Sequence, residues 1–453
     1  MAHPDLISPD LIRGDFSAAL SAMYRDEVPA YGDLLSLVRD VNAVALDQDS
    51  ALREELTRTG TLDRVSVERH GAIRLGKPEE LANMRRVFAV MGMFPVGYYD
   101  LSSAGVPVHS TAFRPISAEA LAINPFRVFT SLLRLDLIED VELRQTAADT
   151  LAKRQIFTLR ALELTAKAEA EGGLTETEAR EFVAEVLETF RWHSEAVVDA
   201  KTYQRLHDAH RLIADVVSFK GPHINHLTPR TLDIDVVQGK MPEWNIAPKA
   251  VVEGPPRRNC PILLRQTSFK ALEEAVGFPN AKSEVTQGSH TARFGEIEQR
   301  GIALTPKGRA LYDKLLNDTR AISRPKADGS NAAEYVAALE SVFGDFPDEW
   351  DIIRQKGLGY FQYTRVNGAV TPGASIDDLL QRKEVVTTPL VYEDFLPVSA
   401  AGIFQSNLGD HAAQAFEASP NQRVFEEALG AEVLNEFDHY AAIEAASIKA
   451  CLA

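Results

Sequence analysis

Residues 64–93 read RVSVERHGAIRLGKPEELANMRRVFAVMGM, and a change of period inside this stretch decides the fold. From Arg64 to Gly76, Val65 and Val67 alternate with polar neighbours, the period-two signature of a strand. Pro78 then opens a helix, with Glu79 and Glu80 in its first turn and Gly92 as its stop. Two more strand-like runs follow, FPVGYYDLSS from Phe94 and VPVHSTAFRPI from Val106, split by Ala104-Gly105. Residues 64–116 therefore carry the order β-α-β-β, with room for one strand more.

Outward from this block, residues 15–60 place apolar side chains at three- and four-residue spacing and are expected to be helical. Residues 117–218 are also expected to be mostly helical. Within them Thr175 and Glu178 form a capping box, Leu174 is placed as its hydrophobic staple, and Gly172-Gly173 ends the preceding helix. Strand character returns over residues 222–300, in CPILLRQTSFKAL from Cys260 and SHTARFGEIEQRG from Ser289. Two strand-rich blocks thus flank a helical insertion. Beyond Gly301 helices and strands alternate, and the chain closes on helix. The expected organisation is a helical segment 1–60, a first β-rich module 61–116, a helical insertion 117–218, a second β-rich module 219–301 and a mixed α/β region 302–453. The fold class is α+β.

Composition excludes several functions. The chain has 453 residues, 45% hydrophobic, with a formal net charge of -17. Such a surface repels phosphate backbones and anionic membranes, so neither nucleic acid nor membrane is an expected partner. Two cysteines, Cys260 and Cys451, are too few for a disulfide framework and fit a reducing compartment. With no basic and apolar leader and no run of about 20 apolar residues, the expected location is the cytoplasm.

The chemistry sits among the eleven histidines and a few acids. His207 and His210 fall in a helical stretch and read as a solvated or capping pair. His193, His411 and His439 lie in helical stretches without an evident ligand partner, and His3 is terminal. His70 is different. At strand period, His70, Ala72 and Arg74 share one face, so an imidazole and a guanidinium enter the same cavity. Arginine forks onto carboxylates through two parallel hydrogen bonds. KGPHINHLTPR, residues 220–230, offers His223 and His226. FGEIEQRG, residues 294–301, puts Glu296 and Glu298 on one face of a strand. Two histidines and one carboxylate make the facial triad of non-haem Fe(II) oxygenases, which leaves positions open for a 2-oxo acid and dioxygen. From the residues alone the set is His70, one of His223 and His226, and one of Glu296 and Glu298. A zinc hydrolase uses the same ligand types.

Four motifs in order, VERHGAIR (67–74), HINHLTPR (223–230), FGEIEQRGIALTPKGR (294–309) and FLPVSAAGIF (395–404), resemble the 2-oxoadipate dioxygenase/decarboxylase family over nearly the whole chain. That family is related to the vicinal oxygen chelate superfamily. The resemblance implies paired βαβββ modules forming a curved sheet around a metal site. It implies Fe(II) on His70, His226 and Glu296, the last because Phe294-Gly295-Glu296-Ile297 matches the family's Phe-x-Glu-Leu pattern. It implies that Arg74 clamps a substrate carboxylate, that Val398 and Ser399 line the pocket, and that His223 supports the site from outside the ligand set. The implied partners are a 2-oxo dicarboxylic acid and O2, and the implied reaction turns 2-oxoadipate into 2-hydroxyglutarate and CO2 in lysine degradation.

Two rival readings use the same residues. One is a zinc or manganese lyase or isomerase. The other is a winged-helix regulator, suggested by RGIALTPKGRALYDKLL from Arg300; its plainer explanation is a helix capped by Thr305 with Pro306 in the first turn.

Overall fold

Three helices, α1 (Pro9–Glu27), α2 (Pro29–Gln48) and α3 (Ser50–Arg58), precede Arg64. The computed structural model describes residues 6–269, 271–280, 284–291, 293–326, 328–368, 370–396 and 420–453. Arg64–Val67 is one helical turn, α4, rather than the expected strand. The turn brings the Arg64 guanidinium to the Glu68 carboxylate four residues on, at 3.1 Å, with both side chains buried. A strand would have sent them apart.

The first module then runs β1 (Arg69–Leu75), α5 (Pro78–Val90), β2 (Phe94–Asp100), β3 (Val108–Arg114), the short helix α6 (Ala118–Ile123) and β4 (Arg127–Leu133). Its sheet order is β2-β3-β4-β1, with β5 (His226–Pro229) added beside β1. β4 lies parallel to β1 and β5 antiparallel to it. This is a βαβββ unit, and it extends past the expected boundary at residue 116. β4 falls inside the stretch expected to be helical. Its sequence, RVFTSLL, is buried at every position. A strand buried on both faces shows no alternation, so periodicity cannot separate it from a buried helical turn.

The two faces of this sheet have different jobs. Ile73, Leu75, Val128 and Leu132 belong to the hydrophobic core, with residues of α1, α2 and α5. The opposite face carries His70, Ala72 and Arg74 of β1 beside their β4 partners Arg127, Phe129 and Ser131. Three helices follow β4: α7 (Val141–Ala152), α8 (Leu159–Glu171) and α9 (Glu176–Leu187). The capping box of Thr175 and Glu178 is present at the start of α9, and Leu174 is buried beneath it. α10 (Ala200–Ala209) and α11 (Arg211–Ser218) complete the insertion. His210 lies between them and accepts the Leu212 N–H at 3.1 Å as the N-cap of α11. It therefore does not share a helix with His207.

The second strand-rich block contains β5, α12 (Ile234–Lys240), β6 (Leu264–Ser268), β7 (Glu273–Pro279), β8 (Val285–Thr291) and β9 (Glu296–Arg300). Here β6 pairs with β9, and β7 with β8 in a separate antiparallel hairpin.

By compactness the chain divides into two units. The first comprises Met1–Lys249, Thr267–Ile297 and Leu396–Val433; the second comprises Ala250–Gln266, Glu298–Phe395 and Leu434–Ala453. The second unit holds α13 (Pro306–Ile322), capped by the Thr305 hydroxyl on Gly308 N–H at 3.1 Å. It also holds the antiparallel pair Phe361–Arg365 and Val385–Pro389 and the helix Glu436–Leu452. No described helix is long and apolar enough to cross a membrane.

Candidate metal centre

Three buried side chains meet in the first unit: His70 from β1, His226 from β5 and Glu296 from the start of β9. One donor atom from each lies within 4.8 Å of the others. Strand register brings the histidines together. Ala72 faces His226 and His70 faces Thr228 across the antiparallel pair, so both imidazoles sit on the same face of the sheet. Their ring centroids are 5.4 Å apart at 86°.

Close backbone approach makes this possible. A Cβ on Gly71 would meet the Ile224 side chain at 2.5 Å and the His226 carbonyl oxygen at 3.2 Å. Beside Glu296, a Cβ on Gly295 would strike the Phe269 ring at 1.9 Å. Tyr24 of α1 adds a brace: its hydroxyl lies 3.1 Å from the Asn225 carbonyl oxygen and 2.8 Å from that of Phe294. One helix thus ties the segments that lead into His226 and Glu296. The Phe294 ring stacks on His226 at 4.8 Å and 20°.

The polar geometry suits one cation. His70 Nε2 is 3.0 Å from Glu296 Oε1. Two donors each about 2.1 Å from an ion and at right angles lie about 3.0 Å apart. The Thr228 hydroxyl donates to Glu296 Oε1 at 3.2 Å and lies 3.0 Å from His226 Nδ1. With that proton on the carboxylate, the hydroxyl accepts from Nδ1–H, and Nε2 is then the lone-pair nitrogen of His226. Two imidazoles and one carboxylate, all buried, suit a borderline divalent ion such as iron, manganese or zinc.

Glu298 goes elsewhere. Its carboxylate takes a two-pronged hydrogen bond from Arg300, both contacts at 2.8 Å. Arg300 also donates to the carbonyls of Tyr392 and Asp394. A second set of basic groups surrounds Glu68, which receives Arg127 at 2.8 Å, Arg230 at 2.9 Å and Arg64 at 3.1 Å, all buried.

Arg74 is buried on the same face as His70, and its Nη1 donates to Asp215 of α11 at 2.5 Å. His223 lies ahead of β5, so strand alternation does not govern where it points. Its Nε2 sits 3.3 Å from Asp215 Oδ1 and 3.1 Å from Asn225 Nδ2. His290 of β8 donates from Nε2 to the same Asp215 oxygen at 2.9 Å, and Tyr203 of α10 hydrogen-bonds His290 Nδ1 at 2.8 Å. Burial alone would raise the Asp215 carboxyl, yet His223, Arg74 and the His290 hydrogen bond hold it well below the usual carboxylate range. Burial also pulls His223 below the ordinary imidazole value, against the pull of Asp215. The Tyr203 phenol is pushed up to about 12, chiefly by burial and then by Asp215.

Sequence reasoning did not find Asp215, His290, Tyr203 or Thr228 as parts of this neighbourhood. Of these, Thr228 alone carried a local signal, two residues beyond His226 on the same face of a strand. Val398 and Ser399 lie outside the described residues, as does His411.

Fold and donor set define a class: an α+β protein with a βαβββ module and a buried two-histidine, one-carboxylate group able to hold a metal ion. A family model described as 2-oxoadipate dioxygenase/decarboxylase matches residues 16–407. The chain is 57% identical over 457 residues to the 2-oxoadipate dioxygenase/decarboxylase of Pseudomonas putida, covering 100% of this chain and 98% of that protein. It is 56% identical to the enzyme of that name from Escherichia coli, with 98% of each chain covered. The crystal structure of the Pseudomonas putida hydroxyglutarate synthase in complex with 2-oxoadipate superposes with a TM-score of 0.91 at 56% identity, covering 99% of this chain and 98% of that one. The chain belongs to the 2-oxoadipate dioxygenase/decarboxylase family, enzymes acting on a 2-oxo dicarboxylic acid.

Proposed function

We propose that this chain converts 2-oxoadipate and O2 into 2-hydroxyglutarate and CO2, with Fe(II) held by His70, His226 and Glu296. The observation that carries this reading is the buried donor set itself, met in a chain 56% identical to a synthase solved with 2-oxoadipate. In the reaction the C1–C2 bond of the substrate breaks and C1 leaves as CO2. C2 becomes the new carboxylate with one oxygen atom of O2, and C3 gains the other as a hydroxyl. Dioxygen takes up four electrons, two from the decarboxylation and two from the C3–H bond, so no external reductant is consumed. Held by His70, His226 and Glu296, Fe(II) would supply the redox chemistry that couples a 2-oxo acid to dioxygen.

The chain's residues supply the rest. Thr228 holds His226 in the tautomer that presents Nε2. Ala72, Phe129 and Phe294 give the site apolar walls that keep water out. Arg74 offers a planar fork for a substrate carboxylate. The reaction's place is lysine breakdown, in the cytoplasm.

The test is oxygen uptake by anaerobically purified protein reloaded with Fe(II) on adding 2-oxoadipate. The expected result is one CO2 and one 2-hydroxyglutarate per O2. No uptake, with Zn(II) or Mn(II) tightly held instead, would replace this reading with a non-redox metal enzyme.

A further inference from the structure

We propose that Asp215 is the positioning residue for Arg74, fixing the guanidinium at the angle from which it takes the substrate carboxylate; this rests on the substrate role of Arg74 proposed above. Asp215 never reaches the metal donors. Its carboxylate is a hub. Oδ2 takes Arg74 Nη1 at 2.5 Å, while Oδ1 takes His290 Nε2 at 2.9 Å and faces His223 Nε2 at 3.3 Å. The hub is itself braced. Because His290 Nε2–H donates to the carboxylate, His290 Nδ1 is an acceptor, and the Tyr203 hydroxyl donates to it at 2.8 Å. The Trp192 ring lies parallel to His290 at 6.0 Å and edge-on to His223 at 4.7 Å, and Phe219 packs against His290 at 4.7 Å.

Arginine carries one of the most mobile side chains, and a guanidinium recognises a carboxylate well only when its planar fork is already aligned. Arg74 has the His70 face of β1 as its base and Asp215 of α11 as its stay. Two imidazoles and a phenol lock the stay in turn. Bracing of that depth around a simple buried ion pair exceeds what charge neutralisation requires. It is what alignment of a substrate-binding group to within a fraction of an ångström requires.

The arm ends at the surface. Tyr203 and His290 line a cavity of about 310 Å³, with His207, Arg211 and Glu273 on its wall. The outer brace can therefore be altered without opening the core, and Tyr203→Phe is the gentlest variant.

The experiment compares Arg74→Ala, Asp215→Asn, Tyr203→Phe and the double variant Arg74→Ala/Asp215→Asn, each loaded with Fe(II), for KM and kcat with 2-oxoadipate. Iron content is measured on every sample. Expected are a raised KM for Arg74→Ala and a KM raised roughly 10- to 100-fold for Asp215→Asn, with iron content unchanged. Tyr203→Phe moves KM the same way by less. The double variant is no worse than Arg74→Ala alone, because the effect of Asp215 passes through Arg74. If Arg74→Ala leaves KM at the wild-type value, the substrate role of Arg74 falls and this inference with it. If Arg74→Ala raises KM and Asp215→Asn does not, or if the two effects multiply in the double variant, the inference alone is overturned. Should Asp215→Asn fail to fold, His290→Gln takes its place under the same outcomes.

Discussion

Thr228→Val removes one hydroxyl and almost no volume, yet it is expected to weaken metal binding. That hydroxyl donates to Glu296 Oε1 and accepts from His226 Nδ1. Without it, the ligating tautomer of His226 directs its Nδ1–H at a methyl group. A buried donor left unsatisfied costs about 1–3 kcal/mol. With an ion on Nε2 the proton has to stay on Nδ1, so the penalty weighs on the loaded state. At about 1.4 kcal/mol per factor of ten, this predicts metal affinity lower by roughly 10- to 100-fold. The assay is an anaerobic titration with Co(II) or Fe(II) against a chromogenic chelator, with thermal melts of the metal-free proteins run alongside. Thr228→Ser keeps the hydroxyl and is expected to stay near wild type. A Thr228→Val affinity within threefold of wild type, with the fold intact, would refute the tautomer argument.

Other perturbations test the neighbouring groups. Glu296→Gln keeps the shape of the third donor but loses its charge; metal retained after dialysis is expected to fall by roughly tenfold or more, and unchanged retention would remove Glu296 from the ligand set. Glu68→Gln strips the shared counter-charge from three buried arginines. About 3–5 kcal/mol of stability is expected to go, read from urea unfolding, and a loss below about 1 kcal/mol would show that the arginines are balanced without it. Acid should unsettle the first module through His109, whose pKa is lowered to about 4, mainly by burial and then by Arg134. The unfolded chain takes up this proton near pH 6.5 and the folded chain only near 4, so the contribution is whole above pH 6.5 and drains away as pH falls toward 4. At pH 5 the loss is about 2 kcal/mol. His109→Gln should flatten that part of the pH–stability curve, and an unchanged slope between pH 7 and 5 would sink the assignment.

Much of the centre was legible because strands write their faces in alternate residues. His70 and Arg74 declared a shared face, and Pro78 and Gly92 bounded the helix that covers the other side. β4 was illegible for the converse reason: RVFTSLL is buried throughout and has no alternation to read. Glu296 and Glu298 could not be separated by position, since both lie on one face. What divides them is Arg300, which takes Glu298 into a two-pronged pair, and only the family resemblance ranked them beforehand. Asp215 is 141 residues from Arg74, and His290 a further 75 from Asp215. No local pattern announces partners brought together only by the folded chain.

With an ion held at this site, the pairing of Ala72 with His226 would also make that ion a proofreader of assembly. Slipping β5 by one residue along β1 would turn His226 toward the apolar side of the sheet and carry Thr228 away with it. A mis-registered chain would still own every ligand but could not gather them, and ion binding would give it no help. His70 and Glu296 are 226 residues apart, so their meeting reports on a large part of the first unit at once. Adding metal to a refolding mixture should therefore enrich the correctly threaded sheet over its near misses, because only that arrangement gains the binding free energy.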